Sequence, residues 1–509
     1  MKKISNQQKK WENRHQTFIE KINDLITVGN EQGLDTNLKR YNDTTIGLQS
    51  LIGDAIKANK PLRSLGAGWS WTKIATAQGG IMIDTKQLNL PFILTAKSIV
   101  PEYKGDYKKL LFAQCGMGIW ELNDRLRERK LSLKTCGASN GQTIVGAMST
   151  GTHGSAIDVG AVSDYVVGMH IILGPDRHVW LERESQPIAS DSFLKNLKTT
   201  RLPGTNDDLF NAALVSFGSF GIIHGVMLET DDLYLLETNS KRVPYENALR
   251  KMMETLDFTK AKNLTGGTER PYYFSVTLNP YDIENGAYVY TQYKRPYQDD
   301  YQRPVPNDAG IGPGDDAPCF IGRLTDVAPR LVPGMVNKLL AGPLKPYSKV
   351  FGTLGEIFDN TKLQGKLMST AIGIPLNQVN RVADLLFELN DKKVSGPFTG
   401  LFAFRFVKKS RATLGFTRFD FTCILELDGI FSKKTVDFYQ AVWDRLEKDN
   451  IPFTLHWGKM NNMNSDQIKR MYGKDADAWM AARNKLLDKD ALKAFTNPLL
   501  TQWGLDKVV

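Results

Sequence analysis

The sequence predicts a mixed helix-and-sheet fold, α+β or α/β, and three observations predict it. Short β-branched runs alternate with helix-patterned segments over roughly the first 235 residues, with glycine dense between them. Beyond that point the composition shifts to aromatic and β-branched runs of the kind that build antiparallel sheets. The 509 residues are 41% apolar and 24% charged, a globular balance that excludes disorder, collagen and a disulfide scaffold. That length suggests about three domains at roughly 150 residues each.

The elements follow in order. Residues 1–40 read as an N-terminal helical extension, because Trp11, Phe18, Ile22 and Leu25 recur at helical spacing. A second helix runs from Gly47 to Asn59 and is stopped by Pro61. Strands are predicted at Leu62–Leu65, Ile81–Ile83, Leu111–Gln114, Val166–Leu173 and Ile222–Leu228, with a helix at Trp120–Arg129. Tyr272–Leu278 and Ala287–Tyr293 start the second regime, and Gly400–Val407 and Phe421–Leu427 continue it. Helices are predicted at Asn377–Asn390 and Lys434–Lys448. Residues 299–318, broken by Pro, Gly and Asp, are a loop. The stretch 321–350 carries five basic residues and one acid among leucines, which reads as a solvated helical insertion, a lid or a weak membrane-surface contact.

Charge and cysteine narrow the class. The balance of 65 basic and 55 acidic residues gives +10, too diffuse for nucleic-acid binding without a recognition motif. Cys115, Cys136, Cys319 and Cys423 lie far apart with no CxxC, against structural zinc and a disulfide framework. No histidine pair has metal-ligand spacing, so no metal is expected. Polar Gln7–Lys10 follow the charged first residues where a signal peptide would be apolar. No apolar run approaches about 20 residues. A cytoplasmic protein is expected, of unknown oligomeric state.

Two glycine-rich stretches carry the chemistry. Gly66-Ala67-Gly68-Trp69-Ser70-Trp71 follows a strand directly, and Gly137–Thr143 continues through Gly146–Ser155. Neither is the GxGxxG dinucleotide fingerprint or a phosphate-binding loop ending in GK[ST]. Two readings stand: tight turns in a loop-rich sheet, or a concave array of backbone N–H donors suited to a pyrophosphate.

These residues resemble a family. Leu62–Asn89 is similar to the first FAD-binding segment of the vanillyl-alcohol-oxidase-type (PCMH-type) flavoproteins, and Gln142–Ser155 resembles their second. Ser163–Gly168 and Phe217–Ile223 follow in the family's order. His456-Trp457-Gly458-Lys459 is similar to a motif of the sugar-lactone (D-arabinono-1,4-lactone) oxidase and alditol oxidase branch. The resemblance implies an α+β fold, with a two-subdomain FAD-binding domain over 41–235. It also implies a substrate domain over 236–455, an antiparallel sheet covered by helices, and a tail over 456–509 returning to the FAD domain. It implies that FAD is held by Gly66, Ala67, Gly68, Trp69, Ser70 and Trp71, and by Ser139, Gln142, Thr143, Gly146, Ala147, Ser149, Thr150, Thr152, His153 and Gly154. Gly221 and Ile223 complete that set.

The chain departs from the family at two places. Relatives that attach FAD through histidine have it where Trp69 stands, and indole offers an N–H donor but no nucleophilic nitrogen lone pair. Ser139 stands where a second, cysteinyl link would be, with Cys136 out of place, so the FAD is expected to be non-covalent. The family's Glu-x-Arg pair reads Ala403-Phe404-Arg405 here. Arg405 remains, and Glu426 on the next strand either supplies the lost carboxylate or is an ordinary strand residue. Lys459 is implied near the flavin's pyrimidine edge, with His456 beside it.

The expected function is FAD-dependent oxidation of a C–OH group by hydride transfer to flavin N5. The substrate is a small-molecule alcohol or lactone, of the sugar-lactone or alditol type, or a bulkier sterol-like alcohol as in the similar covalent-type cholesterol oxidases. The electron acceptor is oxygen or another molecule. The alternatives are a dehydrogenase using a non-oxygen acceptor and a degraded, non-catalytic flavin-binding protein.

Overall fold

The computed structural model describes residues 1–204, 207–304, 326–341, 344–359, 366–391 and 393–507. Among them no helix is long and apolar enough to cross a membrane. Most of the predicted loop at 299–318, the start of the basic stretch 321–350, and Cys319 lie outside the described residues.

The first forty residues are not a helical extension. They hold the strands Lys2–Ser5, Lys10–Glu12, Ile19–Lys21 and Asp24–Gly29, and a helix begins only at Asn37. The reason is a period of two: Trp11, Asn13 and His15 are buried in alternation, as are Ile26 and Val28. That helix, Asn37–Lys57, starts ten residues before the predicted Gly47, where the Thr36 hydroxyl accepts from Lys39 N.

Among the described residues three sheets have four or more strands. Lys2–Ser5, Asp24–Gly29, Ile81–Gln87 and Leu62–Leu65 form a four-stranded sheet, whose last three strands are parallel. A six-stranded sheet orders Thr200–Arg201, His178–Glu182, Val166–Ile172, Ile222–Glu229, Leu110–Gln114 and Pro91–Ile93. The third sheet has eight antiparallel strands, from Tyr347–Gly352 at one edge to Thr454–Leu455 at the other. Its centre is Tyr273–Leu278, Gly400–Lys408 and Phe421–Ile430.

Pleating gives this third sheet two faces. Phe402, Phe404 and Phe406 are fully buried on one, where Phe402 meets Phe387 of the helix Val379–Leu389 and Phe438 of the helix Lys433–Lys448. Leu401, Ala403 and Arg405 alternate onto the other face, which is less covered. Four helices end the chain, from Ser465–Tyr472 to Pro498–Gln502. They dock on the glycine-rich half: Trp479 Nε1 donates to Val215 O (2.9 Å) and the buried Arg483 Nε donates to Ser219 O (3.0 Å). Arg63 of the first sheet donates in return to Phe495 O (2.6 Å).

Candidate active site

A chamber of about 570 Å³ lies where the glycine-rich half, the open face of the large sheet and the C-terminal segment meet. Its first wall begins as the strand Leu62–Leu65 gives way to Gly66 and Gly68. Gly68 has φ +71°, a left-handed conformation, and a Cβ on Gly66 would stand 2.3 Å from Thr143 Oγ1. Thr143 cannot move away freely, because its hydroxyl caps the short helix Ile144–Ser149 by accepting from Gly146 N. The two glycine-rich stretches are therefore packed backbone against side chain.

Trp71 ties that wall to the other two. Its backbone N donates to Gly458 O (2.8 Å) and its Nε1 to Leu367 O (2.8 Å), while Thr72 Oγ1 donates to Trp457 O (2.9 Å). Trp457 is fully buried against Phe217, Tyr472 and Trp503. This holds the His456–Lys459 segment at the chamber.

Every predicted cofactor residue lines the chamber except Gly154. Gly154 packs behind it, where an added Cβ would stand 2.5 Å from Cys136 O. Trp11, Phe217, Leu367–Ser369, Asp428 and Ile430 also line the chamber and were missed by sequence reasoning. Asp428 was findable, since it lies two residues beyond Glu426 on one strand face; Trp11 was hidden by the helical reading of its segment.

All four predicted catalytic residues come together here. In register, Ala403 lies directly opposite Glu426 and Arg405 opposite Ile424. The carboxylate absent at 403 thus stands on the partner strand, on the same sheet face. Glu426 is 5% exposed, and both its oxygens face cations: Oε1 lies 2.7 Å from Lys459 Nζ and Oε2 2.7 Å from Arg405 Nε. Burial alone would raise its pKa, but Arg405 and Lys459 hold it well below the usual carboxylate range. Lys459 also lies 3.7 Å from Asp428, which accepts from Ser369 Oγ.

Two buried histidines complete the cluster, with ring centroids 5.6 Å apart. His153 Nδ1 is 3.1 Å from Gly154 O, and its Nε2 lies 4.0 Å from Glu426 Oε1. His456 Nδ1 accepts from Gly458 N at 3.0 Å. Burial drives the His153 pKa down to about 4, against the pull of Glu426, and holds that of His456 well below the ordinary histidine value. Both imidazoles are neutral at neutral pH.

The family described as "FAD binding domain" matches residues 43–181, which contribute both glycine-rich walls. Residues 43–181 therefore carry an FAD-binding domain of the PCMH type. The chain is 28% identical to the D-arabinono-1,4-lactone oxidase of Yarrowia lipolytica over 204 residues, 40% of this chain and 34% of that protein. The chain therefore spans about a third of the length of the fungal lactone oxidases it matches. It is 24% identical to the L-gulono-1,4-lactone dehydrogenase of Mycobacterium tuberculosis over 466 residues, covering 89% of this chain and 93% of the relative. The fold is similar to the cholesterol oxidase of B. sterolicum, with a TM-score of 0.69, 14% identity, and 99% and 97% of the two chains covered. It is also similar to the xylooligosaccharide oxidase of Myceliophthora thermophila, with a TM-score of 0.60, 12% identity, and 96% and 93% covered.

The flavoprotein walls fit FAD by their own chemistry. On the chamber walls, Trp69 Nε1 and Gln142 Oε1 are buried with no hydrogen-bond partner among the described residues. Such groups cost about 1–3 kcal/mol each until a polar ligand meets them. The glycines at 66 and 141 keep the loops open: a Cβ at Gly141 would stand 2.3 Å from the Trp69 ring. Among the described residues no group of three or more His, Cys, Asp or Glu could hold a metal ion.

Proposed function

We propose that the chain binds FAD without a covalent link and oxidises the C–OH group of a small hydroxylated molecule of the sugar-lactone type. The observation that carries this is Glu426, held between Arg405 and Lys459 on the chamber wall facing the FAD-binding loops. Residues 41–235 act as the cofactor domain and 236–455 as the substrate domain. Gly66–Trp71 and Ser139–Thr152 hold the cofactor, which when bound supplies two-electron oxidation. Arg405 and Lys459 donate to the substrate oxygen and stabilise negative charge that develops there. Glu426 keeps the two cations apart and fixed, so they need not reorganise during the reaction. Oxygen or another acceptor takes the electrons afterwards.

The non-covalent reading rests on Trp69 and on Cys136. The Cys136 thiol is fully buried and its pKa is pushed far up by burial, so no thiolate reaches the chamber. A second substrate class, a bulkier apolar alcohol, is favoured by Leu367, Met368 and Ile430 on the chamber wall. Anaerobic mixing of the purified protein with D-arabinono-1,4-lactone, L-gulono-1,4-lactone, xylobiose and cholesterol tests both classes. Bleaching of the flavin by a lactone is the expected result. Bleaching by cholesterol alone selects the second class, and a colourless protein that takes up no FAD overturns the proposal.

A further inference from the structure

We infer that His153 is the base that takes the substrate's hydroxyl proton, on its Nε2; this rests on the oxidation proposed above. Four groups at this end of the chamber could be considered for a proton. Glu426 is a poor acceptor, because Lys459 and Arg405 each sit 2.7 Å from one of its two oxygens. Protonating it would break both ion pairs at once. The Asp428 side chain is 61% exposed and lies at the chamber's edge.

The two histidines are separated by their hydrogen bonds. A carbonyl oxygen only accepts, so His153 Nδ1, 3.1 Å from Gly154 O, must carry the hydrogen. The neutral ring then has its lone pair on Nε2. His456 is the reverse: Gly458 N donates to its Nδ1 at 3.0 Å, which leaves its hydrogen on Nε2. Only His153 offers a basic nitrogen at this cluster.

The surroundings suit the task. His153 Nε2 and Glu426 Oε1 stand 4.0 Å apart, too far to bond each other. A hydroxyl seated against Nε2 would donate its one hydrogen there and accept from Lys459 Nζ. In the reaction its O–H bond breaks and an N–H bond forms at Nε2. The carbinol C–H bond breaks too, and its hydrogen leaves with both electrons to the oxidised flavin, giving a carbonyl product and a reduced flavin. The imidazolium formed is stabilised by the Glu426 carboxylate beside it. Burial keeps the resting ring neutral but weakens it as a base, so the neighbouring Glu426 charge is what favours its taking the proton. The ring is held through Nδ1 by the Gly154 carbonyl, at a residue where a Cβ would collide with Thr135 Oγ1 and Cys136 O.

The test has one readout that needs no turnover. In ¹⁵N-histidine-labelled protein with FAD bound, assigned by comparison with His153→Asn, the His153 Nε2 resonance should be that of an unprotonated nitrogen at pH 7 and Nδ1 that of a protonated one. The opposite tautomer overturns the inference. In stopped-flow reduction by the lactone that bleaches wild type, His153→Asn should be slower by about 10²- to 10⁴-fold with FAD content unchanged. His153→Ala should be partly rescued by added imidazole, which a purely structural residue would not be. Wild-type reduction rates in both variants overturn the inference and leave the proposed oxidation intact. A wild type that holds FAD but is bleached by none of the probe compounds overturns the oxidation, and the role of His153 with it.

Discussion

Glu426 organises the charge of the chamber, and its neighbours respond differently to substitution. Glu426→Gln leaves Arg405 without its carboxylate and Lys459 with only Asp428, 3.7 Å away, and losing one partner of such a buried set costs about 3–5 kcal/mol. The expected outcome is a lower melting temperature and a slower flavin reduction with FAD still bound, read by thermal unfolding and stopped-flow absorbance. Lys459→Met removes a cation that acts mainly on the charge developed during reaction, so it should slow reduction by about 10²- to 10³-fold and loosen FAD little. Reduction of Lys459→Met at the wild-type rate would make Lys459 a structural ion-pair residue. Arg405 was legible as a site residue from its motif. Glu426 was named from the next strand, but not whether it supplied the lost carboxylate or was an ordinary strand residue, because strand register, which sets Glu426 against Ala403, is decided by pairing across the sheet.

At the scale of elements, the two glycine-rich loops succeed or fail together. Gly66→Ala would drive a methyl to 2.3 Å from Thr143 Oγ1 and dislodge the cap of Ile144–Ser149. It should weaken FAD binding at least tenfold, measured by quenching of flavin fluorescence, while the C-terminal helices stay folded. An unchanged affinity would show that the loops tolerate separation. The strands around these loops were readable because their apolar runs are short and bounded by glycine and polar residues, and Leu62–Leu65 falls where predicted. The N-terminal segment was misread because several of its inward positions are polar. Asn13 and His15 are buried, and Glu20 is buried against Lys73 Nζ at 3.1 Å. A pattern built on hydrophobicity sees Trp11, Phe18, Ile22 and Leu25 and misses the alternation that the polar residues complete.

Across the whole molecule, distant segments meet: Trp71 bonds Gly458 at the chamber, and Arg63 bonds Phe495 away from it. No local pattern could show which distant segments meet, although the order of motifs showed that they belong to one site. The same burial fixes how the protein responds to acid. Its six histidines are residues 15, 153, 170, 178, 224 and 456, and burial lowers the pKa of every one. His15 and His224 fall to about 3 and His153 to about 4. His170 is held between Tyr41 and His178, at 2.8 Å from each. His224 lies 2.9 Å from Thr44 and 3.0 Å from Gln114. The sign follows from where each state binds protons. Above pH 6.5, the ordinary histidine value, both states are neutral and the histidines contribute full stability. Below it the unfolded chain takes up protons that the folded chain refuses, so stability falls with pH until each folded value is reached. One pH unit below the ordinary value, each strongly shifted histidine costs about 1.4 kcal/mol. Several together remove a large part of a typical domain's 5–15 kcal/mol or so. The melting temperature should therefore be flat from pH 8 to about 6.5 and drop steeply between 6.5 and 4.5, before most carboxylates titrate. Differential scanning fluorimetry across that range reads it directly. A melting temperature that stays level down to pH 5 would mean that these rings are solvated enough to be charged in the folded protein.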